Sequence, residues 1–143
     1  MSAHYTGQCH CGNVSLEFHC GAPPEQVRVR ECSCGFCRKH GVRSIADAKG
    51  AVLLRIASPD RVTRYRFGLA TADFLVCRDC GVYVAAVLED GGERFASVNL
   101  NALERAGDFT RKPLTISYEG ESVAERMARR RSKWTPVESV EEG

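Results

Sequence analysis

Seven of the eight cysteines fall into three tight clusters: Cys9-His10-Cys11-Gly12, Cys32-Ser33-Cys34-Gly35-Phe36-Cys37 and Cys77-Arg78-Asp79-Cys80-Gly81. A metal held by sulfurs from distant parts of a chain pins those parts together, and its binding energy becomes folding energy. Seven thiolates divide as four plus three. Four cysteines close a tetrahedral zinc, whereas three leave one position for water or an incoming thiol. Cys32, Cys34 and Cys37 lie so close in sequence that one loop gathers them at little closure cost. Cys9 with Cys11, and Cys77 with Cys80, supply two sulfurs each and need a partner elsewhere. The simplest assignment is a closed Cys9/Cys11/Cys77/Cys80 zinc and an open Cys32/Cys34/Cys37 zinc.

Other uses of these cysteines are weaker. Soft thiolate sets favour zinc but also accept iron. Iron–sulfur clusters use four cysteines apiece, and seven do not supply two of them. A disulfide scaffold is a further alternative for eight cysteines, and a thioredoxin-like reading of Cys77-x-x-Cys80 needs a βαβ pattern that is missing. His10, His40 and Cys20 are the candidates for a fourth ligand that would make the middle site structural. Cys20 otherwise reads as a small buried apolar residue. His4 and His19 show no partner pattern.

At 143 residues, with 43% hydrophobic and 27% charged residues, the chain fits one globular domain over residues 1–143, with a core at about 5–120. Its formal charge is +2; seven thiolates subtract seven and two Zn²⁺ return four, leaving −1. A polyanionic partner is therefore weakly supported. Residues 1–7 lack a basic start followed by an apolar stretch, and no run approaches a membrane span. A cytoplasmic location, where thiols stay reduced, is the expectation.

Alternating apolar and polar residues predict half-buried strands at Val14–Phe18 and Val27–Arg30. Further strands are expected at Ala51–Ile56, Thr63–Phe67, Asp73–Val76, Val82–Leu88 and Arg94–Val98, with turns at Ser58-Pro59-Asp60 and Asp90-Gly91-Gly92-Glu93. A mainly β, mostly antiparallel fold follows. Val123, Met127, Arg130 and Trp134 fall at helical spacing within a stretch from about Glu121 to Lys133, ended by Pro136. Residues Glu138 to Gly143 read as a loose acidic tail. The basic run Arg126 to Lys133 has acidic residues on both sides and reads as a solvated helix face rather than a nucleic-acid footprint. Trp134 reads as a packing anchor.

The motifs Gly7-x-Cys9-x-Cys11-Gly12, Cys32-x-Cys34-x-x-Cys37-Arg38-Lys39-x-Gly41 and Cys77-x-x-Cys80-Gly81, in this order, resemble the glutathione-dependent formaldehyde-activating enzyme family, which includes centromere protein V. The match runs from about Gly7 to Leu103 and includes Ser97-Val98-Asn99-Leu100-Asn101-Ala102-Leu103. The resemblance implies a β-tent fold of antiparallel sheets with zinc knuckles. It also implies two zinc ions, a structural one on the outer pairs and a catalytic one on Cys32, Cys34 and Cys37. The implied reaction joins formaldehyde to the thiol of glutathione, a carbon–sulfur lyase reaction when run in reverse. Arg38 and Lys39 are candidates for offsetting the charge of a three-thiolate zinc and for attracting glutathione carboxylates. The alternative from another class is a non-catalytic zinc module that binds a protein or nucleic acid.

Overall fold

The structure is a computed structural model and describes residues 3–143. In chain order its elements are β1 (Ala3–Gln8), β2 (Val14–Cys20), β3 (Arg30–Cys32), α1 (Gly35–His40), β4 (Ser44–Ile45), β5 (Ala51–Ile56) and β6 (Val62–Tyr65). There follow β7 (Asp73–Cys77), β8 (Tyr83–Asp90), β9 (Glu93–Asn99), β10 (Leu114–Ile116), α2 (Val123–Lys133) and β11 (Thr135–Glu142). All eleven strands belong to one mixed sheet, in the order β1-β2-β5-β11-β9-β4-β3-β10, with β8, β7 and β6 branching from β9. The mainly β fold and the C-terminal helix are as expected from the sequence. Among the described residues no helix is long and apolar enough to cross a membrane.

Most pairings are antiparallel, and two are parallel: β10 with β3 and β11 with β5. In β2, Val14, Leu16, Phe18 and Cys20 face inward while the residues between them are half-buried, the period-two pattern of a strand with one dry face. Phe18, Ile56, Leu75 and Leu100 are among the fully buried side chains of the main core. A second, smaller cluster packs Tyr83, Leu88, Phe95 and Trp134 together with Cys37. Met127 and Trp134 of the C-terminal helical segment join this cluster, whereas Val123 is 49% exposed. Helix α2 opens with a capping box in which Ser122 and Glu125 satisfy each other's backbone amides.

Three expectations need correction. Val27 and Val29 are buried as the alternation requires, but the ladder begins only at Arg30, so this run is extended chain feeding a short strand. Helix α1 was not expected; it is a six-residue helix built around the middle cysteine cluster. The acidic tail is a strand. β11 pairs with β9 through Thr135 and Pro136 and then runs parallel to β5 as far as Glu142, joining two parts of the sheet. A register shift between Val137 and Ser139 breaks the alternation that would have marked it as a strand. Its acidic side chains meet arginines: Glu141 pairs with Arg55 at 2.8 Å, and Glu142 pairs with Arg64.

Ending the chain at Pro136 should lower stability by roughly 3 kcal/mol or more, because half-buried Val137 and Val140 and the parallel ladder are lost together. Arg55→Ala, which removes an exposed ion pair, should change stability by less than about 0.5 kcal/mol. Urea melts of both variants check the contrast.

Candidate metal centres

Two hairpin turns meet to form the first centre. Cys9 and Cys11 lie in the turn between β1 and β2, and Cys77 and Cys80 in the turn between β7 and β8. Both turns close alike: the amide of Cys9 donates to Val14 O at 2.8 Å, and that of Cys77 to Val82 O at 3.1 Å. Gly12 and Gly81 sit at φ +88 and +78, where a side chain would be strained, so each turn depends on its glycine. Gly7 serves a different need: a Cβ there would stand 2.8 Å from Ala102 O, where β1 passes the segment after β9.

The four sulfurs lie within 4.8 Å of one another. Cys9 Sγ and Cys11 Sγ are 3.8 Å apart, and Cys11 Sγ and Cys77 Sγ 3.5 Å. Zinc–sulfur bonds of about 2.3 Å in a tetrahedron put neighbouring sulfurs about 3.8 Å apart, so the spacing fits a four-thiolate metal site. All eight cysteines are free thiols, which sets aside the disulfide scaffold.

Cys32, Cys34 and Cys37 form the second group, also within 4.8 Å. Cys32 ends β3, Cys34 is the N-cap of α1, and Cys37 lies in its first turn. The Cys37 amide donates to Cys34 Sγ at 3.4 Å, so the sulfur takes the place of a capping oxygen. Gly41 ends the helix at φ +64. The hydrogen bond from Cys37 is the main force holding the Cys32 thiol down to about 5, against the effect of burial, while Cys37 itself is pushed far up. Thiolates are the metal-binding form, so metal binding at this group would be linked to proton release.

None of the proposed fourth ligands joins the three sulfurs within 4.8 Å, although His40 lines the same cavity. His40 is exposed and its ring packs on Phe36 at 4.4 Å. His10 is exposed in the first cysteine turn. Cys20 is buried in the core, where burial raises its thiol to about 12. His4 and His19, which showed no sequence pattern, are cross-strand neighbours with rings stacked at 4.5 Å; His4 Nε2 stands 3.3 Å from Glu17.

The three sulfurs open onto a cavity of about 760 Å³. One wall is aromatic. Phe36 lies 5.1 Å from each of Phe67, Phe74 and Tyr83, ring centre to ring centre. Burial holds the Tyr83 phenol protonated, and the thiolates of the second group push it the same way. Basic side chains from α2 also line the cavity: Arg126, Arg129 and Arg130. Glu121 accepts from Arg126 at 3.1 Å and Arg129 at 2.7 Å, and those hydrogen bonds, Arg129 first, keep its carboxyl below the usual range. Lys39 lines the cavity as anticipated; Arg38 points away from it into solvent.

The Ser97–Leu103 segment ties these parts together. Asn99 Nδ2 donates to Tyr83 O at 2.9 Å, and Asn101 Nδ2 to Gly41 O at 2.9 Å, where α1 ends. Its asparagines therefore fix the approach of the strand after the third cysteine cluster to the helix of the second.

A family model for the glutathione-dependent formaldehyde-activating enzyme matches residues 4–119. The chain belongs to this family. A solved crystal structure of a Rhodobacter sphaeroides protein, a structural-genomics target, is similar to it at 29% identity with a TM-score of 0.56, covering 78% of this chain and 99% of that one. Membership in the formaldehyde-activating family accords with the three cysteine motifs, which lie wholly inside the matched region.

Sequence reasoning missed the basic wall, which lies beyond that region. The run Arg126–Lys133 was taken for a solvated face, yet Arg130 is 7% exposed and Arg126 and Arg129 are mostly covered. The signal was available: Arg126, Arg129 and Arg130 share one helix face with Met127 and Trp134.

Cys77→Ser should lose one metal and at least about 3 kcal/mol of stability, since its sulfur joins two hairpins far apart in sequence. Cys37→Ser should lose the other metal with a much smaller fall in stability, because its partners are local. Metal counting and thermal melts of the two variants test this. Glu121 supplies a pH test. Its depressed folded pKa gives stability that is complete above about 4.5 and lost as pH falls through the folded value. Glu121→Gln should therefore cost about 1 kcal/mol at pH 7 and close to nothing at pH 2, read by urea melts at both.

Proposed function

We propose that the chain acts as a single zinc-binding domain and a carbon–sulfur lyase-type enzyme, making or cleaving the adduct of a thiol such as glutathione with a small aldehyde. The observation that carries this reading is the opening of the three-sulfur group onto a cavity large enough for such an adduct. The four-sulfur group would then hold the structural zinc. When bound by Cys32, Cys34 and Cys37, zinc supplies one vacant position at which an incoming thiol can lose its proton.

The residues around this position have separable tasks. Phe36 and Phe74 exclude water from one side, which strengthens every charge interaction in the cavity. The α2 arginines and Lys39 draw in carboxylates of the thiol. In the forward reaction the thiol sulfur bonds to the aldehyde carbon, the carbonyl π pair moves onto oxygen, and that oxygen takes up a proton equivalent to the one the thiol lost. Tyr83, kept protonated by burial, is a hydrogen-bond donor available on the cavity wall for an oxygen gaining charge.

Cobalt in the second group reports this directly. Glutathione should change the visible spectrum of the cobalt-loaded protein at millimolar concentration, and Cys34→Ser should lower adduct formation at least about 100-fold. A spectrum indifferent to thiols, with no adduct formation beyond that of Cys34→Ser, would instead favour a zinc module that binds a macromolecular partner.

A further inference from the structure

Arg130 is buried to 7% exposure in the lining of the cavity that the cysteine group opens onto, yet among the described residues no carboxylate pairs with it. Its Nη1 donates to Thr71 Oγ1 at 2.7 Å, its guanidinium lies 4.6 Å over the Trp134 ring, and its Nε has no partner at all. Burying a charge without a counter-ion is costly, and a buried donor left unsatisfied adds to that cost. The nearest cations make matters worse: Arg126 and Arg129 stand on the same helix, and their shared Glu121 offsets one charge between them. A carboxylate entering the cavity would supply the counter-ion that the protein's own carboxylates do not.

The aromatic part of the lining calls for something flat. Phe67 and Phe74 have ring centres 4.6 Å apart, Phe36 and Tyr65 extend the group, and Tyr65 remains 47% exposed at the cavity edge. Glutathione contains no ring, and formaldehyde is a single carbon. Neither would use this surface, whereas an aryl group stacks on it at ordinary aromatic distances.

We propose that the substrate handled at the three-cysteine group is a thiol adduct bearing an aromatic ring, stacked against Phe36, Phe67 and Phe74, and a carboxylate paired with Arg130. This rests on the reading of that group as the reactive centre. The ring can belong to the aldehyde half or to the thiol half, and stable thioether analogues separate the two. S-benzylglutathione places the ring on the aldehyde side, 2-(methylthio)benzoate places it on the thiol side, and S-methylglutathione has none.

Trp134 is the single tryptophan of the chain and touches Arg130, so its fluorescence reads occupancy without turnover. In the zinc-loaded protein, at least one ring-bearing analogue should bind tenfold or more tightly than S-methylglutathione, and which one does so assigns the ring. Arg130→Gln and, separately, Phe67→Ala should each weaken that analogue at least tenfold. Phe67→Ala alters a partly exposed side chain, so it remains informative if Arg130→Gln does not fold. Equal affinity for all three analogues would overturn the proposal. So would an Arg130→Gln protein that loses zinc but keeps its affinity for the analogue, because the arginine would then serve the metal rather than the ligand. The cobalt spectrum keeps the parent reading separate: thiol-sensitive cobalt with no ring preference removes only this inference, and ring-selective binding with thiol-indifferent cobalt removes the chemistry.

Discussion

Sulfurs gathered within 4.8 Å of one another repel as thiolates unless a cation lies among them. In the four-cysteine group that requirement reaches across the chain, because its ligands come from the turn after β1 and the turn after β7. The N-terminal hairpin is otherwise tied into the sheet through β5, and β5 through β11 to β9. A metal held by the four cysteines would thus secure, at one place, the same hairpin that the C-terminal strand secures at another. Neither is replaceable by local propensity, since a two-stranded hairpin alone is marginal in water.

The three-cysteine group follows a different logic. Its sulfurs are neighbours in sequence, and helix α1 starts on one of them, with Cys34 accepting from the Cys37 amide. The cluster organises its own loop. What surrounds it is long-range: Asn99 and Asn101 bind the backbone of Tyr83 and Gly41, while α2 returns from the far end of the chain with three arginines. A locally made cysteine group inside a globally made cavity lets the cavity vary while the set of sulfurs stays fixed.

Several elements were legible in advance for a plain reason. Ala51–Ile56 is a short apolar run in which buried Val52, Leu54 and Ile56 alternate with half-buried Ala51 and Leu53 and exposed Arg55, and its strand bounds came out as read. The strand at Val14 was also evident, although it continues to Cys20. Failures had physical causes. α1 is too short for a helical period to appear, and its stability comes from a sulfur cap and the third dimension. In β11 a register shift and acidic side chains hid a strand, and only Arg55 on the neighbouring β5 and Arg64 on β6 reveal why those charges are tolerated there.

Sequence by itself determined the two outer cysteine pairs and the middle trio as local units, because ligand spacing and the glycines at φ +88 and +78 are local properties of each turn. It likewise determined the β character and the terminal helix. Tertiary structure decided that the two outer pairs share one centre, that the middle trio faces a cavity, and that Arg130 stands there without a counter-ion. Such facts depend on which surfaces meet when distant segments pack, and meeting is a property of the whole fold rather than of any stretch of it.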